Sequence, residues 1–91
     1  MEMHPTYFTC GYNAVKLETL KPGDMFVIND SFKFIKDAEV YIRGSYANDV
    51  YNSSSIIQLT GAKPGDMRLL YNDCDVYLVK DIMLDSNREG V

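Results

Sequence analysis

Lys21-Pro22-Gly23-Asp24-Met25-Phe26-Val27-Ile28 is the stretch on which the fold turns. Proline in second place holds φ near −65°, and glycine in third place accepts the positive φ that a type II turn requires. The apolar run that follows is too short for a stable helix and rich in β-branched and aromatic types, so it reads as a buried strand. Lys-Pro-Gly-Asp-Met recurs at Lys63 to Met67, 42 residues further on, and each copy is followed by an apolar run, an Asn-Asp pair and another apolar run. An old duplication would give the fold pseudo-twofold character. Two similar turns built from common turn formers would give the same five letters.

Outward from that stretch, short alternating segments recur. Val15, Leu17 and Thr19 fall on one side of a half-exposed strand, with Lys16 and Glu18 on the other. Asn29-Asp30-Ser31 breaks the first apolar run, and Phe32 to Lys36 resumes it as the second arm of a hairpin. Glu39 to Arg43 alternates with Val40 and Ile42 inward. Gly44 to Ser54 is polar, rich in turn formers and without a period, which predicts a long loop. Ile56 to Leu59, Met67 to Tyr71 and Val76 to Val79 supply further strands, with Lys63 to Asp66 and Asn72 to Asp75 as turns. Asp81 to Leu84 extends the last strand or coils. Six to eight short antiparallel strands with no convincing helix predict an all-β domain, a small barrel or sandwich with a possible internal pseudo-repeat. Residues 1–91 read as a single domain, with 1–13 as an N-terminal arm or strand and 86–91 as a frayed tail.

The chain has 91 residues, of which 46% are apolar types and 24% charged, the balance of an ordinary globular protein. No run approaches the roughly 18–20 apolar residues of a membrane span, and the first residues do not form a basic segment leading into a hydrophobic one. The expected location is the cytoplasm. Cys10 and Cys74 lie too far apart for metal-ligand spacing and are expected to be reduced thiols. A net charge of −4 disfavours duplex nucleic acid and anionic lipid as partners.

Leu17, Leu20, Pro22-Gly23-Asp24, Phe26, a strand ending at Lys36, and Asp75-Val76-Tyr77-Leu78-Val79 together resemble a class of small bacteriophage proteins. These are described as Src-homology-3-like or related small β-barrels. The resemblance covers residues 15 to 82, and its signature is Leu-x-x-Gly-Asp-x-Phe followed by a closing Val-Tyr-x-Val strand. Two segments depart from it: Gly44 to Ser54 is long for a compact barrel, and Tyr7 to Tyr12 has no counterpart. The resemblance implies a barrel fold and a phage setting within a bacterial host, and it carries over no catalytic residue.

Nucleophilic catalysis needs a base beside a Ser, Cys or Thr, and the single histidine, His4, stands near the chain start beside Pro5. Most carboxylates adjoin Gly, Asn or Ser, where turn formation accounts for them. Asn72-Asp73-Cys74-Asp75 begins like a calcium loop but has neither its glycine nor its twelfth-position glutamate. Phosphate-loop motifs are absent. No catalytic residue, metal site or cofactor is expected, and a small carboxylate or metal enzyme is the least favoured class. Seven tyrosines and no tryptophan are the unusual feature. Most tyrosines suit strands, whereas Tyr46 and Tyr51 stand in the aperiodic segment beside Asn48, Asp49, Asn52 and Ser53. The expected ligand site is therefore Arg43, Tyr46, Asn48, Tyr51, Asn52 and Arg68: tyrosines for stacking, asparagines for hydrogen bonds, and arginines for phosphate. Two functions compete on that basis. One is a homo-oligomeric, non-catalytic binder of a small anionic, nucleotide-like ligand, in its phage version a counter-defence protein sequestering an immune signal. The other is a protein–protein interaction module, a phage inhibitor of a host protein or a small virion or assembly component, acting through an acidic face or a strand edge.

Overall fold

The structure, a computed structural model, describes residues 2–11, 13–28, 39–61 and 63–87, with the backbone alone for 2–8 and 84–87. Among the described residues seven antiparallel strands form one curled, half-barrel sheet: β1 (Glu2–Cys10), β2 (Val15–Lys16), β3 (Met25–Val27), β4 (Tyr41–Asn48), β5 (Ser53–Gln58), β6 (Met67–Tyr71) and β7 (Asp75–Asn87). Their order is β1-β7-β3-β4-β5-β6, and β2 also pairs with β7. A single 3-10 turn, Leu17–Thr19, is the helical element among the described residues.

Consecutive residues of a strand point to opposite faces, so Phe26 and Val27 enter different cores. Phe26 is fully buried on the concave face with Leu17, Leu20, Tyr41, Ile56 and Val76. Its ring stacks on Tyr41 at 5.8 Å between centroids. Val27 packs on the other face with Val40 and Val79, supported by Met25, Tyr77, Cys10 and Ile82. Each fully buried side chain of this size contributes about 1.5–3 kcal/mol relative to exposure.

Both Lys-Pro-Gly-Asp turns are formed as the sequence predicts, with Gly23 at φ 95° and Gly65 at φ 96°. Asp24 N donates to Lys21 O at 3.0 Å, and Asp66 N to Lys63 O at 3.3 Å. The likeness extends to what each turn meets. Gly23 N donates to Arg43 O and Arg43 N to Asp24 O; Gly65 N donates to Gln58 O and Gln58 N to Asp66 O. Met25 then pairs with Ile42, Met67 with Ile57, and Ile42 with Ile57. A local twofold through the Ile42–Ile57 pair, perpendicular to the sheet, therefore relates β3 and β4 to β6 and β5.

The structure corrects three expectations. Gly44 to Ser54 is not a long loop: β4 runs to Asn48, β5 starts at Ser53, and four residues join them as a tight hairpin. The period disappears there because Gly44, Ser45 and Tyr46 bulge against Ser55 alone, between the Arg43–Ile56 and Ala47–Ser54 pairs. Val15 to Thr19 is a strand for two residues only, after which the 3-10 turn buries Leu17 and leaves Val15 exposed. Tyr41, expected opposite the inward residues, is itself buried in the concave core. Asp81 to Leu84 extends β7, and Tyr7 to Cys10 belongs to β1, paired with β7 from Glu2–Asn87 to Cys10–Val79. Ser86 and Asn87 lie in β7, while the Phe32 to Lys36 hairpin arm and residues 88–91 fall outside the described residues.

A divided candidate site

On the concave face the register sets Arg43 and Arg68 on the same rung, each paired with Ile56 from opposite sides. Two strand spacings put their Cα atoms roughly 10 Å apart. Neither guanidinium is idle. Arg43 donates to Gly44 O through Nη1 and to Ser54 Oγ through Nη2, the latter at 3.1 Å. Its Nε is buried without a partner. Ser54 Oγ in turn donates to Asn72 Oδ1, and Asn72 holds Asn52 through Nδ2 to Oδ1 at 3.1 Å and N to O at 2.8 Å. Arg68 donates to Tyr41 Oη at 2.6 Å, and Tyr41 Oη donates to Glu39 Oε2 at 2.8 Å. Burial, followed by the bond to Glu39, pushes the Tyr41 phenol up to about 12, against the opposing pull of Arg68.

The opposite face carries Tyr51 and Tyr71. Asn48 Oδ1 accepts from Val50 N at 3.0 Å and Tyr51 N at 3.2 Å, which builds the hairpin turn, and Asn52 closes it at φ 50°. Tyr51 is thereby turned onto the outer face, where Tyr51, Ser53, Leu69 and Tyr71 line an open pocket of about 230 Å³. Ser53 is buried and lines this pocket, and its Oγ has no hydrogen-bond partner. Beside it, Tyr46, Val50 and Met67 are exposed. Ser53 and Ser54, which fall in the expected loop, and Ser55 just beyond it are small buried members of β5, and Ser55 Oγ accepts from Tyr46 N at 3.1 Å.

The six expected site residues are thus divided. Arg43 and Arg68 share the concave face with the Asn52–Asn72 link, whereas Tyr46, Asn48 and Tyr51 belong to the hairpin and the outer face. Ser53, Leu69 and Tyr71 were not among the expected residues. Met67, Leu69 and Tyr71 form a two-residue alternation that points to one face, and this was the signal available for them. No family model, curated protein or solved structure matches the chain. Among the described residues, no group of three His, Cys, Asp or Glu side chains is placed to hold a metal, and no helix is long and apolar enough to cross a membrane. Cys10 and Cys74 are free and half-buried, and Asp75 of the calcium-like segment pairs with Lys16 at 2.7 Å.

Proposed function

We propose that the protein is a non-catalytic interaction module that receives a partner protein on its outer face and along the edge of β6, which no other described strand pairs with. The pocket between Tyr51 and Tyr71 carries this reading. Its volume of about 230 Å³ falls below the roughly 300–1,000 Å³ usual for small-molecule sites and suits one inserted side chain. Two tyrosine walls give apolar contact at low entropic cost, and the unpartnered Ser53 hydroxyl at the pocket lining offers one directional hydrogen bond. The pocket adjoins an edge strand, and backbone pairing with pockets for alternate side chains is how strand addition combines affinity with specificity. The phage resemblance supplies a setting, an inhibitor of a host protein or a small virion or assembly component.

A second reading, a small anionic ligand held on the concave face, rests on the shared rung of Arg43 and Arg68 and on the unpartnered Arg43 Nε–H. In the phage setting that ligand would be a sequestered, nucleotide-like immune signal.

Affinity capture from the host cell with the wild-type chain and with Tyr51→Ala/Tyr71→Ala, alongside native mass spectrometry, separates the readings. A protein retained by the wild type and lost by the variant supports the module. A retained small molecule that is lost on Arg43→Ala/Arg68→Ala, with no captured protein, supports the second reading instead.

A further inference from the structure

The local twofold maps β3 onto β6, and the two strands differ in one respect. The far edge of β3 is taken by β7, with Phe26 opposite Leu78 and Val27 opposite Tyr77, while β6 ends the order of the described strands. Val27 is 1% exposed, and its counterpart Leu69 is 47% exposed. Met67, the counterpart of half-buried Met25, is 71% exposed. Among the described residues the fold therefore builds the same half-site twice and fills it once.

The bonding pattern of β6 shows what the vacant edge offers. Gln58 N donates to Asp66 O, and Asn72 N donates to Asn52 O, so the 58–66 and 52–72 pairs are hydrogen-bonded rungs. Antiparallel rungs alternate, which places Arg68 and Leu70 in bonded rungs with β5 and turns the N–H and C=O of Met67, Leu69 and Tyr71 away from it. These three residues also present their side chains on the exposed outer face. Edge strands are ordinarily protected by lysine, proline or a bulge, and β6 has none of these; its one charge, Arg68, belongs to the concave face.

We infer that the occupant of this edge is β6 of a second copy of the chain, paired antiparallel about a twofold axis at Leu69. The inference rests on the interaction-module reading and names its partner. The free groups are centred on Leu69, so this register uses all of them: Leu69 meets Leu69 of the second copy, and Met67 meets Tyr71 on either side. About six backbone hydrogen bonds result. Charge agrees with the register. Arg68 opposes Leu70, Asp66 opposes Asn72 and Gly65 opposes Asp73, so no like charges face each other. The arriving Met67 lies beside Tyr71, at the rim of the pocket. One five-residue edge is small beside the roughly 1,200–2,000 Å² of a stable interface, so the dimer is concentration-dependent.

Sedimentation velocity and amide-resolved NMR across about 10 μM to 1 mM test this with the full chain, the concentrations spanning the weak-complex range. The expected result is a rise from monomer to dimer mass, with slowed exchange at the Met67 and Leu69 amides. Leu69→Arg, which sets two arginines face to face, and Leu69→Pro, which removes the outward N–H, should each weaken dimerisation at least about tenfold with the far-ultraviolet spectrum unchanged. A wild-type chain that stays monomeric at 1 mM overturns the inference, and so does a dimer that both variants leave intact. If the monomeric chain still captures a host protein that Leu69→Arg releases, the second copy is refuted and the interaction module stands.

Discussion

Arg68 reaches Tyr41 in two ways at once: its guanidinium carbon lies 5.1 Å from the ring centroid, and its Nη2 donates to the hydroxyl at 2.6 Å. The tyrosine is stacked on Phe26 and passes its own proton toward Glu39. One aromatic side chain therefore connects the concave core to the charged rim of β6.

Tyr41 should titrate late. Its pKa is raised from 10.0 to about 12, so ultraviolet titration should show one phenol ionising well after the exposed ones. Glu39→Gln should bring it down, because the carboxylate opposes ionisation, and Arg68→Ala should push it further up. The unfolded chain gives up this proton first. The associated stability is whole below pH 10 and is lost as pH rises toward about 12, by at most about 3 kcal/mol. Denaturant unfolding at pH 9, 10.5 and 12 measures the decline, and a flat profile contradicts the assigned environment.

Phe26→Ala should cost about 3–5 kcal/mol, the range for an aromatic removed from a closed core. Phe26 is fully buried and stacked on Tyr41, so the loss reaches both partners. Unfolding in urea measures it, and a cost below about 1 kcal/mol would show that the concave cluster collapses around the gap.

Gly44 has no room for a side chain. A Cβ there would run into Ser55 Oγ and stand 3.2 Å from Ser55 O. Gly44→Ala should therefore destabilise by about 1–3 kcal/mol. The penalty should shrink in a Ser55→Ala background, where the hydroxyl is gone although Tyr46 N then loses its acceptor. A double-mutant cycle measures the coupling, and strict additivity would refute the contact.

Asn52 occupies the left-handed region at φ 50° and bonds Asn72 through both main chain and side chain. Asn52→Val should cost more than Asn52→Gly, because a β-branched residue is strained at that φ whereas glycine loses only the amide bond. Differences of about 1–2 kcal/mol are expected in thermal unfolding. Equal losses would mean that the side-chain bond, not the backbone, holds the turn.

The strands at Met25, Ile56, Met67 and Val76 were legible because short apolar runs bounded by Pro-Gly and Asn-Asp turns admit few other readings. The β4–β5 hairpin was not legible. Its bulge at Gly44 to Tyr46 removes the two-residue period, and the buried serines of β5 carry the composition of a loop. The division of the site follows from the same cause. Arg43 and Tyr46 lie three residues apart, an odd spacing that sends them to opposite faces as soon as the segment is a strand and not a loop, and the bulge, which adds an even number of residues, leaves that parity intact. The shared rung of Arg43 and Arg68 depends on a pairing between distant strands that local sequence does not encode.

β7 has a consequence for how the protein is made. Among the described residues β1 and β2 pair with β7 and with no other strand, and β3 takes one of its two neighbours from it. While residues 1–74 leave the ribosome, β1 and β2 have yet to meet the strand they pair with. Strand closure waits for Asp75–Asn87 to emerge, so β1 and β2, synthesised well before β7, are secured only after it and stay available to chaperones throughout that interval.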